Sequence, residues 1–105
     1  MKKIHKIKYT PLAREDLLKI FSYVSGDLSA PQSAFKLLNN IETAVRRLQE
    51  HPYSAPEAND RYLTEQSYRN LVCKKYLIFY KVNAKKHLVE IHRIVYGKRN
   101  LNWLF

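Results

Sequence analysis

The chain is 105 residues long, 46% hydrophobic and 27% charged, with a formal net charge of +10. That size suits one domain, residues 1–105, with one modest core, and the composition excludes a disordered or low-complexity chain. The single cysteine, Cys73, excludes an intramolecular disulfide, and the longest apolar run, Leu77-Ile78-Phe79-Tyr80, is too short for a membrane span.

In chain order, Ile4–Tyr9 alternates, with Ile7 and Tyr9 on one side and Lys6 and Lys8 on the other, which predicts a short edge strand. Thr10-Pro11 follows as N-cap and first helical residue, and Glu15 and Asp16 sit early in the helix, where its dipole favours carboxylates. Ala13, Leu17, Ile20, Phe21 and Val24 recur at helical spacing, so this helix buries one stripe. Gly26 is placed to end it in a left-handed cap. Ser29 with Gln32 reads as a capping box, with Pro31 in the first turn of a second helix. That helix points Ala34, Leu37, Leu38, Ile41, Val45 and Leu48 inward, and His51-Pro52 ends it. Residues 53–67 read as a polar loop holding a short helical turn around Arg61–Glu65.

Three strands complete the chain, Tyr68–Cys73, Tyr76–Val82 and Leu88–Tyr96. The predicted class is α+β, in the order β-α-α-β-β-β, with the helical hairpin on one face of a small, mainly antiparallel sheet. Ile78, Tyr80 and Val82 oppose Leu77, Phe79 and Lys81, while Val89, Ile91, Arg93 and Val95 oppose Glu90, His92, Ile94 and Tyr96. Strands apolar on both sides need cover on both faces. The hairpin covers one, leaving the other for Leu101–Phe105 or a bound partner. The Lys74-Lys75 turn lacks the Asn or Gly that a two-residue hairpin loop prefers, which implies strain or a longer loop.

Charge is concentrated in this last part. From Tyr68 to Arg99 nine basic side chains face one acid, Glu90, whereas the rest of the chain carries ten basic and eight acidic residues. Such a surplus favours polyanionic partners, whether nucleic acid, an anionic surface or an acidic protein. The charged start, Met1-Lys2-Lys3-Ile4-His5-Lys6, has no apolar signal region, and with the lone cysteine this predicts a cytoplasmic protein with no membrane partner.

Signatures of catalysis are few. With only Gly26 and Gly97 there is no glycine-rich phosphate loop, and His5, His51, His87 and His92 are scattered without metal-ligand spacing, so neither cofactor nor metal is expected. Arg69, Arg93, Lys98 and Arg99 are candidate phosphate contacts. Tyr76, Tyr80 and Tyr96 are stacking candidates, and His92 and Tyr96 are proton-transfer candidates. Solvation is favoured over a specific contact for the turn lysines, core packing for Phe79 and Tyr80, and a surface or satisfied role for His87 and His92. Arg93 interrupts an apolar face and so needs either a paired anion or a solvent-filled groove.

Arg14-Glu15-Asp16-Leu17-Leu18-Lys19-Ile20-Phe21-Ser22-Tyr23-Val24, Tyr68-Arg69-Asn70-Leu71-Val72, Tyr76-Leu77-Ile78-Phe79-Tyr80-Lys81-Val82 and Arg93-Ile94-Val95-Tyr96-Gly97-Lys98-Arg99-Asn100 occur in an order and spacing that resemble toxins of the RelE/ParE superfamily, over roughly Ile7 to Phe105. The resemblance implies a bacterial type II toxin held inactive by a cognate antitoxin, whose acidic residues would complement the basic region. RelE-like members cleave mRNA in the ribosome, whereas ParE-like members poison DNA gyrase. Arg99 matches a catalytic arginine of the RelE branch, and Arg69 lies where that branch has a basic residue. Three other positions of that branch's catalytic set are occupied here by Leu71, Leu77 and Phe105.

The ParE-like reading is therefore favoured. It implies that Arg69, Lys74, Lys75, Arg93, Lys98, Arg99 and Trp103 contact gyrase or the antitoxin. The alternative is a ribosome-dependent endoribonuclease in which Arg69, Arg93 and Arg99 bind phosphate and His92 or Tyr96 supplies the missing acid. A third reading is a non-toxic basic domain that binds nucleic acid.

Overall fold

A computed structural model describes residues 4–59 and 61–97. It is α+β: a helical hairpin lies against one face of a four-stranded mixed sheet. Strand β1 (Lys6–Tyr9) leads into helix α1 (Pro11–Ser22), a π-helical segment (Tyr23–Asp27) and helix α2 (Pro31–Arg46), which tightens into a 3₁₀ turn (Arg47–Gln49). A short helix α3 (Arg61–Glu65) precedes strands β2 (Arg69–Cys73), β3 (Tyr76–Asn83) and β4 (Leu88–Tyr96). Across the sheet the order is β1-β4-β3-β2, with β1 parallel to β4 and the other pairs antiparallel. Among the described residues no helix is long and apolar enough to cross a membrane.

Local chemistry explains the start of α1. The Thr10 hydroxyl accepts from Ala13 N (3.2 Å) and donates to His92 O (3.1 Å), while Thr10 N donates to Ile91 O (3.0 Å). The cap thus satisfies an orphan amide and ties the helix to β4. Ala13 on α1 and Ile41 and Val45 on α2 pack with Leu48 against Ile78, Tyr80, Val89 and Ile91 of the sheet. Burying each large aliphatic side chain there is worth about 1.5–3 kcal/mol before chain entropy is counted.

Several expectations are corrected. Gly26 does not cap α1: no described glycine has positive φ. The chain runs on through the π segment, closed by Leu28 N donating to Tyr23 O (3.1 Å), and turns instead at Ser29, φ 51°. Ser29 forms no capping box, because Ala30 occupies the N-cap of α2 without a side-chain bond and the Ser29 hydroxyl turns back to Gly26 O (3.4 Å). Pro31 does stand in the first turn of α2.

The second face of the sheet is covered by the chain before β2. Ala58, Leu63 and Tyr68 pack with Phe79 and Val95 into a smaller core. This segment is held by backbone bonds from Ala58 N to Tyr68 O (3.0 Å), Tyr68 N to Leu63 O (2.9 Å) and Asn70 N to Pro56 O (3.0 Å), and by the Thr64 hydroxyl on Ala58 O. A polar loop could cover a sheet because its few apolar residues, Ala58 and Leu63, meet the face that Phe79 exposes. Leu101–Phe105 lies outside the described residues.

The predicted grouping of β4 side chains is also corrected. Phe79 pairs with Arg93 but Tyr80 pairs with Ile91, so His92 is an extra residue, a β-bulge. Before the bulge Val89 and Ile91 enter the main core; after it Ile94 does, and Val95 joins the second core. One inserted residue reverses the alternation, because side chains repeat every two residues.

Candidate functional site

The predicted site residues that the structure describes fall in four separate places. Arg93 is buried and bonded to α1: its Nε donates to Asp16 Oδ2 (2.8 Å) and a terminal nitrogen donates to Asp16 Oδ1 (2.9 Å). Asp16 Oδ2 also accepts from Ile94 N (2.9 Å). The anion that Arg93 required is therefore supplied from within the chain, by a fork-to-fork pair with side chains 11% and 10% exposed. Hydrogen bonding to Asp16 raises the Arg93 pKa, with burial opposing it. The bulge and the end of β1 make this possible, because beyond Tyr9 the edge of β4 is open to α1 rather than to a strand.

His92 lies on the second face. Its Nδ1 and the Tyr68 hydroxyl share a hydrogen bond of 3.1 Å, the two rings meet edge-to-face at 5.1 Å, and its Nε2 is shielded without a bonding partner. Lys81 Nζ sits 4.4 Å from the centre of the Tyr68 ring, a cation–π distance. Burial chiefly, then Lys81, pushes the His92 pKa below its ordinary 6.5, with Glu90 opposing. Burial raises the Tyr68 hydroxyl pKa above 10.0, helped by Tyr62 and Glu90. Both groups are thus held neutral at physiological pH.

Arg69 is half-buried and turned to the chain before α3. It donates to Ala55 O (2.7 Å) and at longer range to Tyr53 O (3.5 Å), and it lies 4.9 Å from the centre of the Tyr53 ring. The Tyr80 hydroxyl holds the same segment through Pro52 O (2.8 Å). Tyr80 is fully buried, as its core reading required.

Lys74 and Lys75 are exposed at the end of the β2–β3 hairpin, which is a true two-residue turn because Cys73 pairs with Tyr76. The strained alternative is the one realised, with Lys74 at φ 56°. Gly97 N donates to Lys75 O (2.9 Å), and an added Cβ there would stand 3.2 Å from that oxygen, so glycine permits the approach. Tyr76 and Tyr96 meet edge-to-face at 5.8 Å beside it. Lys98, Arg99 and Trp103 lie outside the described residues.

The structure also contains a feature that the sequence reading missed. An apolar cleft of about 580 Å³ lies between α1 and α2, reaching Tyr9 of β1 and the core residue Ile41. Tyr9, Leu17, Leu18, Phe21, Phe35 and Leu38 line it, with Arg14 and Glu42 as its charged residues. Leu18 is 69% and Phe35 64% exposed, and Phe35 meets Phe21 edge-to-face at 5.1 Å. The available signal was that Leu18 and Phe35 fall outside both predicted stripes. Among the described residues no three His, Cys, Asp or Glu side chains converge as a metal site, and burial raises the Cys73 thiol pKa, which keeps it unreactive.

Comparison with solved structures defines the fold class. A protein of the chromosomal ParDE toxin–antitoxin system from P. aeruginosa superposes with a TM-score of 0.74 at 21% identity, over 91% of this chain and 99% of that one. A protein of the toxin–antitoxin complex RelBE2 from Mycobacterium tuberculosis gives a TM-score of 0.65 at 19% identity, over 91% and 94%. At such identities the likeness is one of fold. No curated protein matches the sequence. The family model for the ParE toxin of the type II toxin–antitoxin system parDE matches residues 7–101, and the chain belongs to that family.

Proposed function

We propose that this toxin acts in the cytoplasm by poisoning DNA gyrase and is neutralised by an acidic antitoxin. The observation that carries the target reading is the state of β4. Of the three groups there that the ribonuclease reading uses, Arg93 and His92 are turned to partners within the chain, Asp16 and Tyr68, and Tyr96 packs edge-to-face on Tyr76. Phosphate stabilisation and proton transfer need groups that face the substrate, and together they are worth orders of magnitude in rate. A protein that acts by trapping another enzyme has no such requirement. The test is purified toxin added to gyrase and relaxed plasmid, with toeprinting of translating ribosomes in parallel. Blocked supercoiling or gyrase-dependent DNA breaks support the reading. Cuts at A-site codons with supercoiling intact would replace it with the mRNA interferase.

The antitoxin is proposed to fill the α1–α2 cleft with the apolar face of a helix, a common mode of peptide recognition. Support comes from the exposure of Leu18 and Phe35, which a solitary chain leaves in water. The basic surplus of the chain supports acidic flanking residues on that segment.

A further inference from the structure

The four histidines are dispersed in sequence, but the parallel pairing of β1 with β4 brings two of them together. Lys6 is in register with Leu88, so His5 and His87, each one residue earlier, enter the sheet side by side. Lys6 N donates to His87 O (2.8 Å), and His5 N donates to Gln49 O (2.8 Å). The imidazole centroids are 5.3 Å apart with ring planes at 67°.

Two further details set this pair apart from ordinary surface histidines. Nδ1 of His5 and Nδ1 of His87 are both shielded from solvent, and neither has a hydrogen-bond partner. A buried polar atom in that state calls for an explanation, of which an ion is one. His87 is also held at φ 49°, in the left-handed region that histidine enters more readily than most non-glycine residues. The lysines of β1 point elsewhere: alternation puts His5 on the side of Ile7 and Tyr9, which pack on the main core, and Lys6 and Lys8 on the other.

Two imidazoles that share one tetrahedral zinc, with Zn–N near 2.0–2.1 Å, hold their ring centroids roughly 5 Å apart. The observed separation is compatible with that arrangement, as it is with edge-to-face packing of the two rings. We propose that His5 and His87 form a two-histidine site for a divalent zinc-class cation, at the rim where β1 enters the sheet. Neutral imidazole is a preferred donor for such ions. Two protein ligands leave the remaining positions to water. The bound ion would clamp the edge strand β1 to β4 and satisfy both orphaned nitrogens.

The test is thermal unfolding of untagged full-length protein at pH 7.5 with and without zinc chloride. When free zinc exceeds its Kd about a hundredfold, the Tm should rise by roughly 10 °C. His5→Gln and His87→Asn should each abolish the rise; asparagine tolerates the positive φ at position 87. His51→Gln should keep it. Failure of zinc to raise the wild-type Tm overturns the proposal, as does a rise that survives both substitutions. If either variant loses its fold by circular dichroism, the wild-type NMR spectrum decides. Joint zinc-dependent movement of the His5 and His87 ring signals supports the site, and stationary signals overturn it.

Discussion

Asp16 shows how much one residue can carry. Its carboxylate accepts three hydrogen bonds, two from Arg93 and one from Ile94 N, at the point where α1 crosses an otherwise open stretch of β4. Removing one partner of a buried pair leaves the other charge desolvated, which typically costs 3–5 kcal/mol. Asp16→Ala should therefore lose about that much in urea unfolding, while replacing Asp16 and Arg93 together by apolar residues should cost less. Equal losses in the single and double variants would remove the pair from this role.

His92 makes a residue-scale prediction about pH. Its folded-state pKa lies below the ordinary 6.5, with Tyr68, Lys81 and Glu90 as the facing groups. A lowered histidine pKa means that the unfolded chain binds the proton more readily. The contribution of His92 is then complete above about pH 6.5 and is lost as pH falls through that value towards the folded-state pKa. Unfolding free energies measured from pH 7.5 to 5 should decline, and His92→Gln should flatten that slope. An unchanged slope would show that other groups set it.

At the scale of elements, the helical hairpin has two working faces. One stripe, including Ala13, Ile41 and Val45, packs on the sheet, while Leu18, Phe21, Phe35 and Leu38 line the cleft, with Leu17 and Ile41 bordering both. A helix on the edge of a small domain normally keeps its outward side polar, and this is the reason the apolar cleft is proposed as the antitoxin's contact. Phe35→Glu should leave the Tm within a few degrees of wild type, because the side chain is exposed, and weaken antitoxin binding at least tenfold by calorimetry. Binding that survives this change places the antitoxin elsewhere. Around the short helix α3 the pattern differs: Ala58, Leu63 and Tyr68 turn inward to cover Phe79 and Val95.

At the scale of the whole molecule, the described residues of the basic stretch do not form one patch. Lys74 and Lys75 stand at one end of β3 and Lys85 and Lys86 at the other, about 25 Å away for a strand of this length. Arg93 is buried, and Arg69 is turned to backbone carbonyls. The described exposed lysines are thus spread over both ends of the sheet, and a chain of net charge +10 also carries a long-range positive field, which governs encounter more than contact. Association with an acidic antitoxin should slow about tenfold or more between 0.05 and 0.5 M salt in stopped-flow, with dissociation changing much less. A salt-independent association rate would exclude electrostatic steering.

The sequence alone determined the elements and their order. Thr10-Pro11, the helical spacing of Leu17, Ile20 and Phe21, and the apolar strands at 76–82 and 88–96 are local signals, and local backbone and hydration physics is enough to read them. The short helix at Arg61–Glu65 was legible for the same reason. Only the tertiary structure decided what those residues do. Whether Arg93 meets solvent or Asp16 depends on a residue 77 positions away, and one bulged residue, His92, decided which side of β4 faces which core. The cover of the second face, the cleft between α1 and α2 and the meeting of His5 with His87 likewise arise from pairing between distant segments. Periodicity records which side of an element is apolar, but only the packed chain sets what that side touches.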